Sequence, residues 1–404
     1  MKKLILQNYI WFLFLIFVSA GSFVAEHINH RFSMPDLEVY EKAATRLING
    51  EELYRTTEED PYEHYVFKYA PPAALIFIPF ALPDPEASKY LYWIFLTFIM
   101  GHLLYLSKNI FTVDGHNRSR TTLSIVLLII IAGTHFFREL HLGQVNLLLL
   151  WCYMLAMFAL YRNQQILGGI PLGISIFVKP FALIFLPFLL LSGKFRASLS
   201  FLATAMVMFL IPFVFYPDLQ QYMGLYGSWM EELSIELSNK QDLLAAGNHT
   251  LFSLIARFTP LRLLPLEGSA KLFYQGLLLV LIGIFLLRFM LKDKSQFGRI
   301  KIFIVLIALI PMLAVTSYNA FILSLPLLAC IIFQFRKLTF AMKVLFIISC
   351  LMIGGNIYDI SGPQLFDILW GISVYTWGSM GLMIILFTEW KKIRLDLEES
   401  MQLS

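Results

Sequence analysis

Four short stretches of an otherwise apolar chain hold residues able to do chemistry. The first is MPDLEVYEKAATRLINGEELY, residues 34–54. On a helix turning about 100° per residue, Val39, Tyr40, Ala43, Ala44 and Leu47 fall within about 80° of Asp36, and Glu38, Glu41, Lys42, Thr45 and Asn49 fall on the far side. One carboxylate therefore occupies the middle of the apolar stripe. Its position after Pro35 in a first helical turn favours the ionised form through the helix dipole, and that alone is one account of it. Burial beside Tyr40 pushes the other way. The sequence leaves that balance open.

The second stretch is FVKPF, residues 177–181. Pro180 breaks a helix and strips backbone carbonyls of their donors. Arms over 166–178 and 180–192 each reach about 20 Å, short of the roughly 30 Å hydrocarbon core. Lys179 is then a cation at the depth of lipid phosphates, either holding an anion or snorkelling to the headgroups. The third stretch is FFRELHLGQVNLLLL, residues 136–150, where Arg138, Glu139 and His141 precede Gln144 and Asn146 at the entrance of an apolar helix. Capping and interhelical hydrogen bonds would use the two amides, and Arg138 with Glu139 would make an interfacial ion pair. Polar groups at membrane depth are costly, so a working role competes with each of these. The fourth is AAGNHTLFSLIARF, residues 245–258, with Asn248 and His249; Asn248 is expected to cap a helix over 249–258.

The elements that must position these groups are membrane helices. The 404 residues are 58% hydrophobic and 14% charged, with a mean hydropathy of +0.71. That excludes a soluble chain of this length and points to an all-α polytopic membrane protein. Spans are expected near 6–25, 88–107, 121–136, 144–162, 166–178, 180–192, 199–216, 270–291, 302–316, 320–335, 344–358 and 365–389. The first is expected as an uncleaved span rather than a signal peptide. Twelve crossings place both termini in the cytoplasm, and the charges agree. Segments such as SKNIFTVDGHNRSR, SGKFRAS and RFMLKDKSQFGRIK carry the basic excess of an inner face, whereas residues 26–70 hold ten acidic against five basic residues.

Two outer loops, 26–87 and 217–269, are long and varied in composition. The first contains the helix of Asp36 and an apolar piece near 72–82 that is too short to span. The second contains PDLQQYMGLYGSWMEELSIEL, whose Tyr, Trp and Leu among Glu fit an interfacial helix. We therefore expect a single integral membrane domain over 1–404, with these loops covering a site at the outer face. Cys152, Cys330 and Cys350 lie in apolar runs as buried thiols, without zinc spacing or a disulfide framework. His27, His30 and His64 are scattered in the first loop and fit surface or substrate contacts better than a metal site. Phosphate-cradling glycine loops, zinc-protease motifs and nucleophile elbows are absent from the sequence.

The order of several blocks resembles glycosyltransferase family 87, membrane mannosyltransferases of the GT-C superfamily that use polyprenyl-phosphate sugars. The blocks are DLEVYEKAATRLINGEELY, FKYAPPAALIFIPFALP, LGQVNLLLLWCYMLAMFALYR, GGIPLGISIFVKPFALIFLPFLLL and GNHTLFSLIARF. In place of the family's Ser-Pro-rich turn with a Trp and paired His, this chain has TSYNAF, with Ser317, Tyr318 and Asn319. The resemblance implies a GT-C-like bundle of about 12 transmembrane helices and a bacterial inner-membrane enzyme whose active site faces the periplasm. It implies transfer of a hexose, with mannose the family default, from a polyprenyl-phosphate-linked donor to the hydroxyl of a glycolipid or glycan acceptor, with inversion. Carried onto these positions, it makes Asp36 the general base and lets Lys179 and Arg138 hold the donor phosphate. Tyr40, Gln144, Asn146, Asn248 and His249 become sugar or acceptor contacts. Neither metal nor other cofactor is implied, nor any nucleic-acid partner; the lipid bilayer is. Two readings from other classes stay open: a secondary transporter, which should show repeated halves, and a non-catalytic protein of envelope assembly.

Overall fold

A computed structural model of the protein describes residues 2–54, 66–112, 118–239 and 242–393. Among these residues the structure is helical, without strands, in keeping with the all-α polytopic class read from composition. In chain order the α-helices are α1 (Lys2–Ile28), α2 (Pro35–Asn49), α3 (Ile78–Ala81), α4 (Pro85–Phe111), α5 (Arg118–Leu142) and α6 (Asn146–Tyr161). They continue with α7 (Gln165–Val178), α8 (Phe185–Leu191), α9 (Phe195–Leu210), α10 (Leu219–Asn239), α11 (Leu251–Phe258) and α12 (Gly268–Lys292). The last five are α13 (Gln296–Leu313), α14 (Leu325–Phe333), α15 (Phe340–Gly354), α16 (Tyr358–Gly371) and α17 (Val374–Thr388).

Six of the described helical stretches are long and apolar enough to cross a membrane: 10–28, 85–111, 119–142, 195–214, 268–292 and 296–313. A seventh candidate is the pair 360–371 and 374–388, bent by 61°. The sequence reads this pair as one span over 365–389. Ser373, in the left-handed region at φ 59°, begins α17 at the bend. Other expected crossings appear as shorter apolar helices: 146–161, 165–178, 180–191, 318–333 and 340–354. Two of these open in a 3-10 turn, over Pro180–Ile184 and Tyr318–Ser324.

The chain divides into two compact units. One comprises 1–15, 104–136 and 242–404; the other comprises 16–103 and 137–241. The second unit contains the first outer loop and the Lys-Pro break. In it α7 lies close against α9 because Gly169 and Gly173 have no side chain. A Cβ on Gly169 would meet the Ala197 carbonyl oxygen at 2.3 Å, and one on Gly173 would meet that of Phe201 at 2.7 Å. The first outer loop also meets the residues around the start of the second in this unit. The Tyr216 hydroxyl donates to the Glu51 carbonyl at 2.5 Å, and the Trp229 indole donates to the Lys68 carbonyl at 3.3 Å. In the first unit a buried Lys301 ties α13 to the end of the chain, donating to the Trp390 carbonyl at 2.8 Å with its ammonium 4.0 Å from the Trp390 ring centroid.

Candidate functional site

The helix expected around Asp36 is α2. Pro35 stands in its first turn, and Gly50, at φ 69°, ends it by donating back to the carbonyls of Arg46 and Leu47. Leu37, Tyr40, Ala43, Ala44 and Leu47 are buried, and Glu38, Lys42, Thr45 and Asn49 are exposed. The acidic group on the inward side is held by an amide: Gln144 Nε2 donates to Asp36 Oδ2. This contact requires the α5–α6 link to come very close to α2, and Gly143 allows it. Its φ is +70°, and a Cβ there would lie 2.9 Å from Leu37 Cβ and 3.2 Å from Leu37 N.

From Gln144 the polar contacts continue without a gap. Asn146 Nδ2 donates to Gln144 Oε1 at 3.3 Å and to Glu139 Oε1 at 2.7 Å. The Asn146 carbonyl oxygen Oδ1 accepts from Lys179 Nζ at 2.9 Å. Four residues singled out from sequence, Asp36, Gln144, Asn146 and Lys179, thus form one hydrogen-bonded chain from a carboxylate to an ammonium. Pro180 ends α7 as expected, leaving Lys179 in an extended conformation. One carbonyl released by the break, that of Phe177, accepts from Ala70 N–H at 3.0 Å, which ties the first outer loop to the Lys-Pro turn.

Charge accumulates around Asp36. Lys179, Arg138 and Lys68 all act on its carboxylate and favour ionisation, as does the Gln144 hydrogen bond, but burial outweighs them and raises its pKa above 3.8. The contest between dipole and burial, open in the sequence, falls on the side of a stronger base. Tyr40 stands one turn on, its hydroxyl 3.1 Å from that of Tyr69. Both phenols are pushed upward, first by burial, so they stay neutral donors at ordinary pH.

Glu139, read from the sequence only as half of an ion pair, has a further place in the cluster. It is fully buried and accepts from the Leu147 N–H at 3.1 Å as well as from Asn146, so it closes the first turn of α6. Tyr69 and Tyr92 go unflagged; the Tyr92 hydroxyl donates to the Gln144 carbonyl at 3.1 Å. In sequence they are two aromatics among many, and only the fold gives them a polar task.

Asn248 and His249 belong to the other unit and are placed in a second polar cluster. The helix cap there is Thr250, which accepts from Ser253 N–H at 3.1 Å. The cap expected at Asn248 is displaced by two residues, and Asn248 Oδ1 instead accepts from the Thr250 N–H and hydroxyl, at 3.1 and 2.7 Å. His249 is buried, with Nδ1 3.3 Å from Ser373 Oγ and its ring edge-on to Trp370 at 5.5 Å. Its Nε2 is buried without a hydrogen-bond partner. Burial, reinforced by Arg257, lowers its pKa to about 4, so it is neutral. Of the scattered histidines, His27 packs between Phe23 and Phe32, and His64 lies outside the described residues.

Residues 67–257 match glycosyltransferase family 87. The matched span contains Arg138, Gln144, Asn146, Lys179, Asn248 and His249; Asp36 and Tyr40 precede it. No curated protein matches the chain. Among solved structures, the chain is similar to the apo oligosaccharyltransferase of Archaeoglobus fulgidus, at 11% identity and a TM-score of 0.44, over 93% of this chain. The chain spans 56% of that protein's length.

Proposed function

We propose that the protein is a membrane glycosyltransferase that moves a hexose, with mannose the first candidate, from a polyprenyl-phosphate donor to an acceptor hydroxyl on a glycolipid or glycan. The reaction is placed at the outer face of the membrane, the periplasmic face of a bacterial inner membrane. Asp36 takes the proton of the acceptor hydroxyl. The oxygen bonds to the anomeric carbon as the bond from that carbon to the lipid-phosphate oxygen breaks, and the phosphate leaves with the electron pair. One displacement inverts the anomer. Lys179 and Arg138 meet the charge on the departing phosphate. Tyr40, Gln144 and Asn146 orient the sugar and the base.

One observation carries the proposal. A half-buried carboxylate with raised proton affinity is wired through Gln144 and Asn146 to a lysine at a helix break. A general base works best when its pKa approaches operating pH, and the burial of Asp36 moves it in that direction. Agreement of residues 67–257 with a glycosyltransferase family supports the same class. The test is incubation of the purified protein in lipid with polyprenyl-phosphate mannose and a lipid-linked glycan, with the anomeric configuration of the product read by NMR. Transfer with inversion is expected. Transfer with retention would contradict the single displacement, and absence of transfer from any polyprenyl-phosphate hexose would contradict the donor class.

A further inference from the structure

Far along the chain from the Asp36 network, the unit comprising 1–15, 104–136 and 242–404 holds a groove of about 510 Å³ between α5, α14 and α15. Its shape follows from how α5 and α15 meet. At one end they touch: a Cβ on Gly354 would lie 2.3 Å from the Ile131 carbonyl oxygen, and the Thr134 hydroxyl donates to the Gly354 carbonyl at 2.7 Å. His135 Nε2 adds a 3.0 Å contact to the Ile353 carbonyl. From this pinned end the helices part, and the gap between them is walled by side chains such as Leu127, Ile347 and Leu351. At the open end stand two guanidinium groups, Arg120 in the first turn of α5 and Arg336 in the 3-10 turn Phe335–Lys337 that follows α14.

The dimensions fit one leaflet. From Arg120 to Ile131 is eleven helical steps, about 16 Å, close to half of the roughly 30 Å hydrocarbon core. Apart from Ser124 the wall is apolar along that length, and it is cationic at its interfacial end. The nearby acid Glu389 is engaged by Lys392 at 2.7 Å and by the Thr339 N–H at 3.2 Å, while Lys343 adds positive charge 5.8 Å from the Phe335 ring. Charge complementarity selects an anionic headgroup, and the depth selects a tail within a single leaflet. We infer that this groove is a binding site for one anionic phospholipid, its phosphodiester between Arg120 and Arg336 and an acyl chain along α5 and α15. By the basic excess of the adjoining segments, this is the cytoplasmic leaflet. The site is separate from the donor chemistry, and it makes the protein's stability depend on the charge of its lipids.

Native mass spectrometry of the full chain in detergent, titrated with phosphatidylglycerol or phosphatidylcholine, tests this. One phosphatidylglycerol should be retained roughly thirtyfold more tightly, the value for two interfacial arginines, and should raise the thermal transition. The double variant R120Q/R336Q should lose the preference, and Leu127→Trp, which fills the groove, should weaken both lipids. A thermal transition matching the parent in lipid-free detergent establishes that each variant is folded; if the double variant is not, Arg336→Gln alone, at an exposed side chain, should halve the preference in logarithmic terms. Equal retention of the two lipids by the parent would overturn the inference, as would an unchanged preference in the arginine variants. Displacement of phosphatidylglycerol by an equal concentration of polyprenyl phosphate would overturn it too, by assigning the groove to a different lipid.

Discussion

Two polar clusters, one in each compact unit, differ in the work left to them. Around Asp36 opposite charges are joined through amides: carboxylate, Gln144, Asn146, ammonium. Around His249 the imidazole is neutral, and Arg257 spends its guanidinium on the Gly371 carbonyl, at 2.6 Å, and on Ser373 Oγ. The first arrangement keeps a base and several cations within mutual electrostatic reach. The second braces a loop and leaves His249 Nε2 and Arg257 Nε without hydrogen-bond partners. Burial of polar groups in a membrane protein is therefore a weak guide to chemistry; a buried acid whose protonation is contested by cations is a stronger one.

The sharpest way to break this contrast is Asp36→Asn. It should lower the transfer rate by about 10²–10⁴, the usual worth of general base catalysis, with the thermal transition retained. Lys179→Met comes next, with a loss on the order of 10²–10³ in kcat from a missing phosphate partner; a loss confined to KM would reassign Lys179 to donor binding alone. On the other side of the comparison, His249→Ala should spare kcat. A collapse of kcat would erase the distinction between the clusters. Gly143→Ala forces a side chain onto Leu37 at positive φ, so it should cost about 1–3 kcal/mol of stability, read from chemical denaturation.

The smallest effect is also the most specific. Because burial raises the Asp36 pKa, the activity should rise with pH along a limb whose midpoint lies above 3.8, as the base loses its proton. Gln144→Ala removes a hydrogen bond that favours the ionised form, so it should move that midpoint further up. A limb that stays in place in this variant would mean that another group titrates.

Much of the site is legible in sequence because polar residues stand out where apolar ones are the rule. Asp36 breaks the stripe of α2, Gln144 and Asn146 interrupt a run of leucines, and Lys179 precedes a proline. Glu139 is hidden for the opposite reason. Next to Arg138 at a helix end it looks like half of an ordinary surface pair, and its burial depends on the fold-back at Gly143. The fold class follows from composition alone. The count of full crossings does not, because five expected spans are helical stretches of 10–17 residues, shorter than the roughly 20 residues a crossing needs, and one more is bent at Ser373.

The most direct test of the central claim is a structure of the protein with an uncleaved polyprenyl-phosphate sugar bound. The account predicts the phosphate against Lys179, with the anomeric carbon facing an acceptor position within hydrogen-bond reach of the Asp36 carboxylate. A phosphate held away from the Lys-Pro turn, or a sugar out of reach of Asp36, would contradict it.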